Sequence, residues 1–407
     1  MSAAHMPPAV SVLALSYNSR KHLPTNLDSL LALDYPPDKL EIILVDNASS
    51  DGSADWTRQT YPAVRVVETG ANLGFAGGNN AGAKIASRPW LAILNPDTRV
   101  TPGWLRALTA PLAAHPEAVC IASKMLAWDG ESIDFADAAV NFMGWGCQPG
   151  LGSRQLDDFN EAKELLFACG GAMLIRRDVF LEMGGFDEAY MAFFEDVDLG
   201  WRLWLRGYCV RFAPEAVVYH RHHGSWDGVA SPRIWLLAER NTLFTIIKNY
   251  DDDHLARVLP AALLLLLQRS WLDVNADPAV FQTLSAPDEA LFGWRYYTGQ
   301  AADLARRGEW RALWQRAHEE IRRRRRSVQP TAPKKRPSPT PEDGRYPVLA
   351  VCLSRLLAGQ AALEQWVALS EKRQQIQASR VRADAEVFPL FRWELVSNFG
   401  DERFIRA

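Results

Sequence analysis

The sequence predicts an α/β fold with a mostly parallel central sheet, followed by a helical C-terminal extension. Apolar strand segments alternate with helical patterns, and these segments are residues 10–16, 41–46, 64–67 and 90–94. Alternation of this kind is typical of parallel α/β sheets. Such sheets bind ligands beyond the carboxyl ends of their strands. Asp46 and Asp97 follow two of these ends, so both are candidate ligand-binding residues.

Composition limits the class of protein. The 407 residues are 48% hydrophobic, which is enough for one large domain and a smaller part. A net charge of −3 indicates no general attraction to nucleic acid. The five cysteines contain no C-x-x-C pair, so we expect a reducing compartment and neither a disulfide framework nor a zinc site. The N-terminus has no signal pattern, and the most apolar run, residues 259–267, is too short for a membrane span.

Four parts are expected along the chain. They are an α/β domain over residues 1–250, a helical extension over 251–320, a flexible linker over 321–347 and a helical segment over 348–407. The linker combines the five arginines Arg322–Arg326 with six prolines, a composition that cannot bury a core. A solvated linker is one interpretation of the arginines, and contact with an anionic membrane from the cytoplasmic side is the other.

Residues 190–208 predict a loop that leads into a helix. The apolar positions recur at helical spacing, at Val197, Trp201, Trp204 and Leu205. Gly207 is a typical helix end. Glu195 and Asp196 then lie in the first turn, where free N–H groups and the helix dipole favour an ionised carboxylate, as a general base requires. Asp198 and Arg202 are four residues apart, so we expect them to pair on the outer face.

Each candidate motif also has a simpler interpretation. Acids are common in the first turns of solvated helices; here three aromatics before the acids favour a walled pocket, and they are Tyr190, Phe193 and Phe194. Asn95-Pro-Asp-Thr98 is either a routine turn or a metal or nucleotide ligand. The glycines of residues 74–82 serve either a phosphate or tight helix–strand packing. The histidines 220, 222 and 223 either bind metal or phosphate or form a polar strand end.

Six motifs in this order resemble glycosyltransferase family 2, most closely its rhamnosyltransferase-like branch. They are SYNS at residues 16–19, VDNASSDGS at 45–53, NLGFAGGNN at 72–80, LNPDT at 94–98, GGFDE at 184–188 and FEDVDLGWR at 194–202. The resemblance covers about residues 8–250. It implies a GT-A fold, a nucleotide-sugar donor, a divalent cation (Mg²⁺ or Mn²⁺) and inversion at the anomeric carbon.

The resemblance also implies roles for individual residues. Asp196 matches the catalytic base, and Glu195 is its acidic neighbour. Asp97 matches the final acid of a D-x-D metal motif whose first acid is replaced by Asn95, so we expect a weak cation site. His220 matches a histidine near the metal, with His223 as the alternative. The residues expected to contact the nucleotide sugar are Ser16, Tyr17, Asn18, Asp46, Asn72, Gly74, Asn79 and Asp97.

The implied reaction transfers a sugar to a hydroxyl of a glycan or lipid-linked acceptor. The branch favours dTDP-rhamnose as the donor, ahead of UDP- or GDP-sugars. A sugar-phosphate nucleotidyltransferase is an alternative, but the chain lacks a basic glycine-rich N-terminal loop for a triphosphate. A catalytically inactive nucleotide-sugar-binding module is another alternative, and a third assigns the main role to the tail as an adaptor.

Overall fold

The computed structural model describes residues 6–221, 232–274 and 348–391. By its internal contacts the chain divides into two units, one of residues 1–267 with 353–407 and the other of residues 268–352. The described residues of the candidate active site all belong to the first unit. The predicted linker, residues 321–347, lies outside the described residues, as does most of the predicted helical extension.

The N-terminal part alternates strands with helices, as the apolar pattern predicts. Its elements are β1 (Val10–Ser16), α1 (Leu23–Leu31), β2 (Leu40–Asp46), α2 (Ser53–Thr60), β3 (Arg65–Glu68), α3 (Gly74–Ile85) and β4 (Trp90–Leu94). β1 pairs in parallel with β2 and with β4, and β2 pairs in parallel with β3. The four strand predictions are confirmed to within one residue at each end.

The middle of the chain completes the sheet. Its elements are β5 (Thr98–Val100), α4 (Trp104–Thr109), β6 (Ala118–Ala127), β7 (Ile133–Phe135), β8 (Ala139–Val140), β9 (Gly146–Cys147), β10 (Glu164–Leu165), β11 (Ala172–Arg176), α5 (Arg177–Glu182), α6 (Glu195–Leu205) and β12 (Cys209–His220). The apolar pattern predicts two strands here, one of residues 210–213 and one of residues 216–219, whereas the structure has the single strand β12. Its pairing with β6 continues across an irregularity between Ala213 and Val217.

The C-terminal part is helical. Its elements are α7 (Pro232–Asn249), α8 (Asp252–Val274), α9 (Val348–Glu364), α10 (Trp366–Ala378) and α11 (Asp384–Val387). α10 packs against α7, and α11 packs against α6. The C-terminal segment therefore returns to the α/β domain. Among the described residues, no helix combines the length and the apolar character that crossing a membrane requires.

The sheet brings the predicted site residues to one edge. Within the described chain, ten strands form it in the order β10–β12–β6–β11–β4–β1–β2–β3, with β5 beside β12 and β7 beside β6. β11 is antiparallel to both β4 and β6, and β12 is parallel to β6. β3, β2, β1, β4, β6 and β12 therefore run in one direction, which confirms a mostly parallel sheet. Ser16, Asp46, Asp97 and His220 end or follow strands of this set, so they lie at its carboxyl edge.

α3 approaches the sheet closely. Every residue of β1 is buried, as expected for a central parallel strand covered on both faces. A Cβ on Gly78 would lie 2.5 Å from the Leu15 side chain, and one on Gly82 would lie 2.8 Å from the Val45 side chain. These two glycines therefore serve tight helix–strand packing, the simpler interpretation of the glycine-rich motif.

Candidate active site

The two acids begin α6. Glu195 and Asp196 are its first two residues, so their predicted place in the first turn is confirmed. Gly207, with φ of 88°, follows the far end of the helix, as predicted. Phe194 precedes the helix with φ of 65°, in the left-handed region that residues with side chains rarely adopt. The residue just before the helix that carries the acids thus has an unusual, left-handed backbone conformation.

Residues 191–194, which we name the acid loop, are strained. Positive φ angles of 63°, 70° and 65° occur at Met191, Phe193 and Phe194. Met191, with ψ of −59°, is the centre of a γ-turn in which the Ala192 N–H donates to the Tyr190 carbonyl at 2.7 Å. Residues in such conformations cost about 1–3 kcal/mol each and persist only where their surroundings hold them.

Two neighbouring residues of α7 bind carbonyl groups of the acid loop and of the two residues before it. The Asn241 Nδ2 donates to the carbonyls of Tyr190, Ala192 and Phe193 at 3.1, 2.9 and 2.7 Å. The Arg240 guanidinium donates to the carbonyls of Ala189 and Tyr190 at 2.8 and 3.0 Å. No motif in the sequence indicates this function, because α7 lies about 50 residues further along the chain.

The acid loop also covers the start of α3. The Met191 carbonyl accepts the N–H groups of Phe75 and Ala76 at 2.7 and 3.2 Å. Gly74 has φ of 71°, and a Cβ there would lie 2.6 Å from the Met191 oxygen. Gly74 therefore permits the close approach of the acid loop. Its contact with a nucleotide sugar stays a prediction.

Asp196 is half-buried and bound by backbone N–H groups. Its Oδ2 accepts the Gly170 N–H and its Oδ1 accepts the Val197 N–H, both at 2.9 Å. Burial raises the pKa of Asp196 above its ordinary value, and these N–H groups oppose the rise. Desolvation therefore works against the helix terminus, and the expectation that Asp196 is ionised at neutral pH stays a prediction. A raised pKa makes the ionised carboxylate a stronger base.

Glu195 is held in a different environment. It is 5% exposed, and its Oε2 has no hydrogen-bond partner among the described residues. Burial, and then the charge of Asp196, raise the pKa of Glu195 well above its usual range. Paired carboxyls with different environments divide the acid and base roles between them. The geometry favours a protonated Glu195 beside an ionised Asp196.

Asp198 and Arg202 do not lie on an outer face, so that expectation is wrong. They form a buried pair, with the Arg202 Nε 2.8 Å from the Asp198 Oδ2. The Lys248 Nζ, from α7, lies 2.8 Å from the other Asp198 oxygen. The i,i+4 spacing is the same for exposed and buried pairs, and here α7 covers the face that carries them. Arg202 also donates to the carbonyls of Met183 and Gly185, which fixes the turn before the acid loop.

Ser16 and Asp46 are paired at the ends of β1 and β2. Both side chains are buried. The Asp46 Oδ2 accepts the Ser49 N–H at 3.0 Å, whereas the Asp46 Oδ1 and the Ser16 Oγ have no hydrogen-bond partner in the part of the chain that the structure describes. Buried polar atoms are nearly always paired, with water or ligand where protein groups are lacking. This arrangement fits the predicted nucleotide contacts.

Tyr17 and Asn18 continue from β1 into the loop above the sheet edge. The Asn18 Oδ1 accepts the Ser50 N–H at 2.8 Å, and its own N–H donates to the Ser49 Oγ at 3.0 Å. The loops after β1 and β2 are therefore joined. Tyr17 is 48% exposed, so its ring is accessible to a planar ligand such as a base.

Asn72 and Asn79 lie in different surroundings. Asn72 is exposed, and its Oδ1 accepts the Asn47 Nδ2 at 3.0 Å and the Gly74 N–H at 2.9 Å. Asn79 is buried on α3 and donates to the Phe75 carbonyl at 3.0 Å. Asn72 thus shapes the loop before α3, and a contact of either residue with the donor stays a prediction.

A histidine between two acids lies at the carboxyl edge. The His220 Nε2 is 3.3 Å from the Asp97 Oδ1, and its Nδ1 is 2.6 Å from the Asp134 Oδ2. These carboxylates raise the pKa of His220 to about 9, although burial opposes the rise. Sequence reasoning missed Asp134, which lies on β7 and belongs to none of the six motifs. The sequence did contain a signal for it: Asp134 is an acid between the two apolar residues of the short strand β7.

These residues fit a divalent cation. An acid that binds one ring nitrogen of a histidine commonly orients the other nitrogen towards a metal, and Asp134 binds His220 in this way. The Asp97 carboxylate and the His220 Nε2 are then adjacent donors of types that Mg²⁺ or Mn²⁺ accept. Binding would displace the proton that the raised pKa keeps on His220. His223, the alternative ligand, lies outside the described residues.

Comparison with known proteins gives consistent results. Residues 11–184 match the family model described as "Glycosyl transferase family 2". The N-acetylglucosaminyl-diphospho-decaprenol L-rhamnosyltransferase of Mycobacterium tuberculosis is 31% identical over 250 residues, which are 56% of this chain and 80% of that protein. The O-antigen biosynthesis protein RfbC of Myxococcus xanthus is 28% identical over 240 residues, which are 56% of this chain and 19% of that protein.

A solved structure agrees in fold. GalNAc-T7, crystallised with UDP, GalNAc and Mn²⁺, superposes with a TM-score of 0.51 at 18% identity, over 61% of this chain and 49% of that chain. The chain thus spans about half the length of this neighbour, and the similarity concerns the fold alone. Together with the mixed sheet it confirms the expected GT-A type of α/β fold. The family match, and a relative at 31% identity that this chain covers over 80% of its length, show that the chain belongs to glycosyl transferase family 2.

Proposed function

We propose that this glycosyltransferase is an inverting enzyme that transfers rhamnose, from dTDP-rhamnose as the first candidate donor, to a hydroxyl of a glycan or lipid-linked acceptor. The choice of sugar and acceptor is supported by the 31% identity to a mycobacterial protein named as an L-rhamnosyltransferase of a diphospho-decaprenol acceptor. The observation that carries the mechanism is Asp196, a half-buried carboxylate of raised pKa beside a fully buried Glu195. The choice of sugar and acceptor in turn indicates a role in cell-surface polysaccharide synthesis.

The mechanism is a single displacement. Asp196 removes the proton from the acceptor hydroxyl, and the oxygen attacks C1 of the donor sugar. The bond from C1 to the diphosphate breaks, and its electron pair leaves with the diphosphate. Attack from the opposite side inverts the configuration at C1. Glu195, held in its neutral form, adds no second negative charge beside the base.

Asp97 and His220 are the residues that would hold Mg²⁺ or Mn²⁺, with Asp134 orienting His220. When bound, the cation supplies positive charge that stabilises the departing diphosphate. Asn95 in place of an acid leaves one carboxylate in the motif, so the site is expected to be weak and to need a millimolar-range concentration of the cation.

A panel of nucleotide sugars tests this proposal and separates it from its rivals. The purified protein is screened by thermal shift and by donor hydrolysis, and the largest effect is expected with dTDP-rhamnose. Stabilisation without hydrolysis would identify an inactive nucleotide-sugar-binding module. Release of diphosphate from a nucleoside triphosphate and a sugar phosphate would identify a nucleotidyltransferase.

We also propose that the protein works on the cytoplasmic side, in peripheral contact with an anionic membrane. Arg322–Arg326, outside the described residues, support this through their charge. Exposed leucines on the outer faces of α8 and α9 support it through their apolar surface: Leu264, Leu353, Leu356 and Leu363 are 67%, 51%, 47% and 74% exposed. Exposed large apolar side chains that lie together are typical of surfaces that bind a membrane or a partner.

A further inference from the structure

Residues 372–382, which we name the capping segment, bind the carbonyl ends of two helices. They comprise the second half of α10 and the turn that follows it. The last four carbonyls of an α-helix have no partner within the helix, so other groups must bind them. Cationic side chains suit this position because the helix dipole is negative there. The two helices that the capping segment binds are α7 and α6.

The end of α7 is capped by side chains of α10. The Gln377 Nε2 donates to the carbonyls of Lys248, Asn249 and Tyr250 at 3.0, 3.3 and 3.1 Å. The Arg373 guanidinium donates to the Ile247 carbonyl at 2.8 Å and to the Tyr250 carbonyl. These four consecutive carbonyls, at residues 247–250, are those that α7 cannot satisfy itself.

The end of α6 is capped from the same segment. The Arg382 guanidinium donates to the carbonyls of Gly207 and Tyr208, in the turn just beyond α6, at 3.0 and 2.9 Å. The backbone N–H groups of Val381 and Arg382 both donate to the Leu205 carbonyl, at 2.8 and 3.2 Å. One short stretch of chain therefore binds the far ends of both helices.

A third contact reaches the turn before the acid loop. The Lys372 Nζ lies 2.5 Å from one oxygen of Asp187, and the Lys248 Nζ lies 2.7 Å from the other. The Asp187 side chain in turn accepts the Ala189 N–H at 3.1 Å, so it caps the short turn of residues 188–190. The acid loop begins at the next residue.

We propose that the capping segment is a positioning element of the active site, which holds the acid loop and the start of α6 in the geometry that presents Asp196. α6 carries Asp196 at its near end, and α7 carries Asn241, which binds two carbonyls of the acid loop and the Tyr190 carbonyl just before it. A helix moves as a unit, so the binding of its far end limits the movement of its near end. The proposal rests on the proposed function through the identity of the base.

A purely stabilising role is the competing explanation, and it predicts a different pattern. If the segment only stabilises the fold, its variants lower the unfolding temperature but leave the folded enzyme unchanged. If it positions the acid loop, its variants also lower kcat and loosen the loop while the donor site, formed by the N-terminal strands, keeps its affinity. The two explanations therefore differ in kcat, in donor Kd and in amide exchange.

The experiment compares Gln377→Ala and Lys372→Met in the full-length protein with two controls. Gln374→Ala, an exposed glutamine on the same helix, is the matched control for Gln377, and Lys372→Arg keeps the charge at Asp187. We expect kcat to fall by about tenfold in each of the first two variants, since small misplacements of catalytic groups cost up to about 10²-fold. Donor Kd should not change, and amide hydrogen exchange should quicken in residues 192–196. Both controls should behave as wild type.

The outcomes separate this proposal from the proposed function. Wild-type kcat and exchange in Gln377→Ala and Lys372→Met, with only a lower unfolding temperature, would overturn the positioning role. Quicker exchange in the acid loop of these variants would support it even if the substrate assignment were wrong, because the exchange measurement needs no substrate. If Asp196→Asn retained turnover while Gln377→Ala lost it, the base would be misassigned and the positioning role would remain.

Discussion

The carboxyl edge of the sheet, where we propose that the donor binds and which we name the donor edge, and the acid loop are built in different ways. At the donor edge, Ser16 and Asp46 are placed by the register of two neighbouring parallel strands. In the acid loop, three residues have positive φ angles, and they are held by α7 and α3. The first region follows from local pattern, and the second depends on contacts between distant parts of the chain. A change outside the site should therefore disturb the acid loop more than the donor edge.

The largest effect is expected at the cation site of the donor edge. Chelation by EDTA should abolish turnover, and Asp97→Ala should mimic it, because a bound cation contributes several kcal/mol of charge stabilisation, or at least about a thousandfold in rate. Turnover is measured against added Mg²⁺ and Mn²⁺. Full activity in excess EDTA would contradict this and would leave His220 and arginine side chains to stabilise the diphosphate.

A smaller effect is expected when the acid loop is displaced from α3. Gly74→Ala places a Cβ 2.6 Å from the Met191 carbonyl, whereas Gly70→Ala, at a similar φ of 75°, meets nothing within 4 Å. Both should lose about 1–2 kcal/mol of unfolding free energy because alanine is strained in the left-handed region, and Gly74→Ala should lose more because of its contact with the carbonyl. Gly74→Ala alone should also lose kcat, by about ten- to a hundredfold. Equal kcat in the two variants would mean that the acid loop tolerates displacement.

The pH dependence of kcat should report the buried position of Asp196. The base works only when ionised, so kcat falls as the pH decreases through its pKa. Because burial raises this pKa above the ordinary value of 3.8, the acid limb should lie at higher pH than for an exposed aspartate. The measurement is kcat at saturating donor between pH 4 and 8. A rate that stays flat down to about pH 5 would indicate an unperturbed carboxyl or another base.

The smallest effect on kcat is expected in the predicted linker, which lies outside the described residues. Replacing Arg322–Arg326 by serine should reduce sedimentation with anionic liposomes, since each basic residue near such a surface contributes about 1 kcal/mol. Neutral liposomes serve as the control, and kcat with a soluble acceptor should be unchanged. Equal sedimentation of the variant and the wild type would favour a solvated linker.

The sequence was sufficient for the sheet and for much of its carboxyl edge. The first four strands are predicted to within one residue, because each is a local apolar run bounded by turn residues. Asp46, Asp97 and His220 reach the edge because strand direction determines which end faces the ligand. The contact of Asp134 with His220 could not be predicted from strand direction, because the two residues are 86 positions apart in the sequence.

The surroundings of the acids could not be predicted from local pattern. The φ angles of residues 191–194 are set by partners such as Asn241, about 50 residues away. The capping contacts of Gln377 span more than 125 residues. Asp198 and Arg202 were expected outside because the spacing of an ion pair does not reveal what covers it. The sequence therefore identified the acids, and only the structure showed what holds them.

The most direct test of the account is kcat with donor Kd for Asp196→Asn and Glu195→Gln. Asp196→Asn removes the base at constant size, so kcat should fall by about 10²–10⁴-fold, towards the upper end, while donor Kd changes little. Glu195→Gln imitates the protonated carboxyl that the structure favours, so it should be much milder. Retention of more than about a tenth of wild-type turnover by Asp196→Asn would contradict the account. If Glu195→Gln were the inactive variant, the base would be one residue earlier.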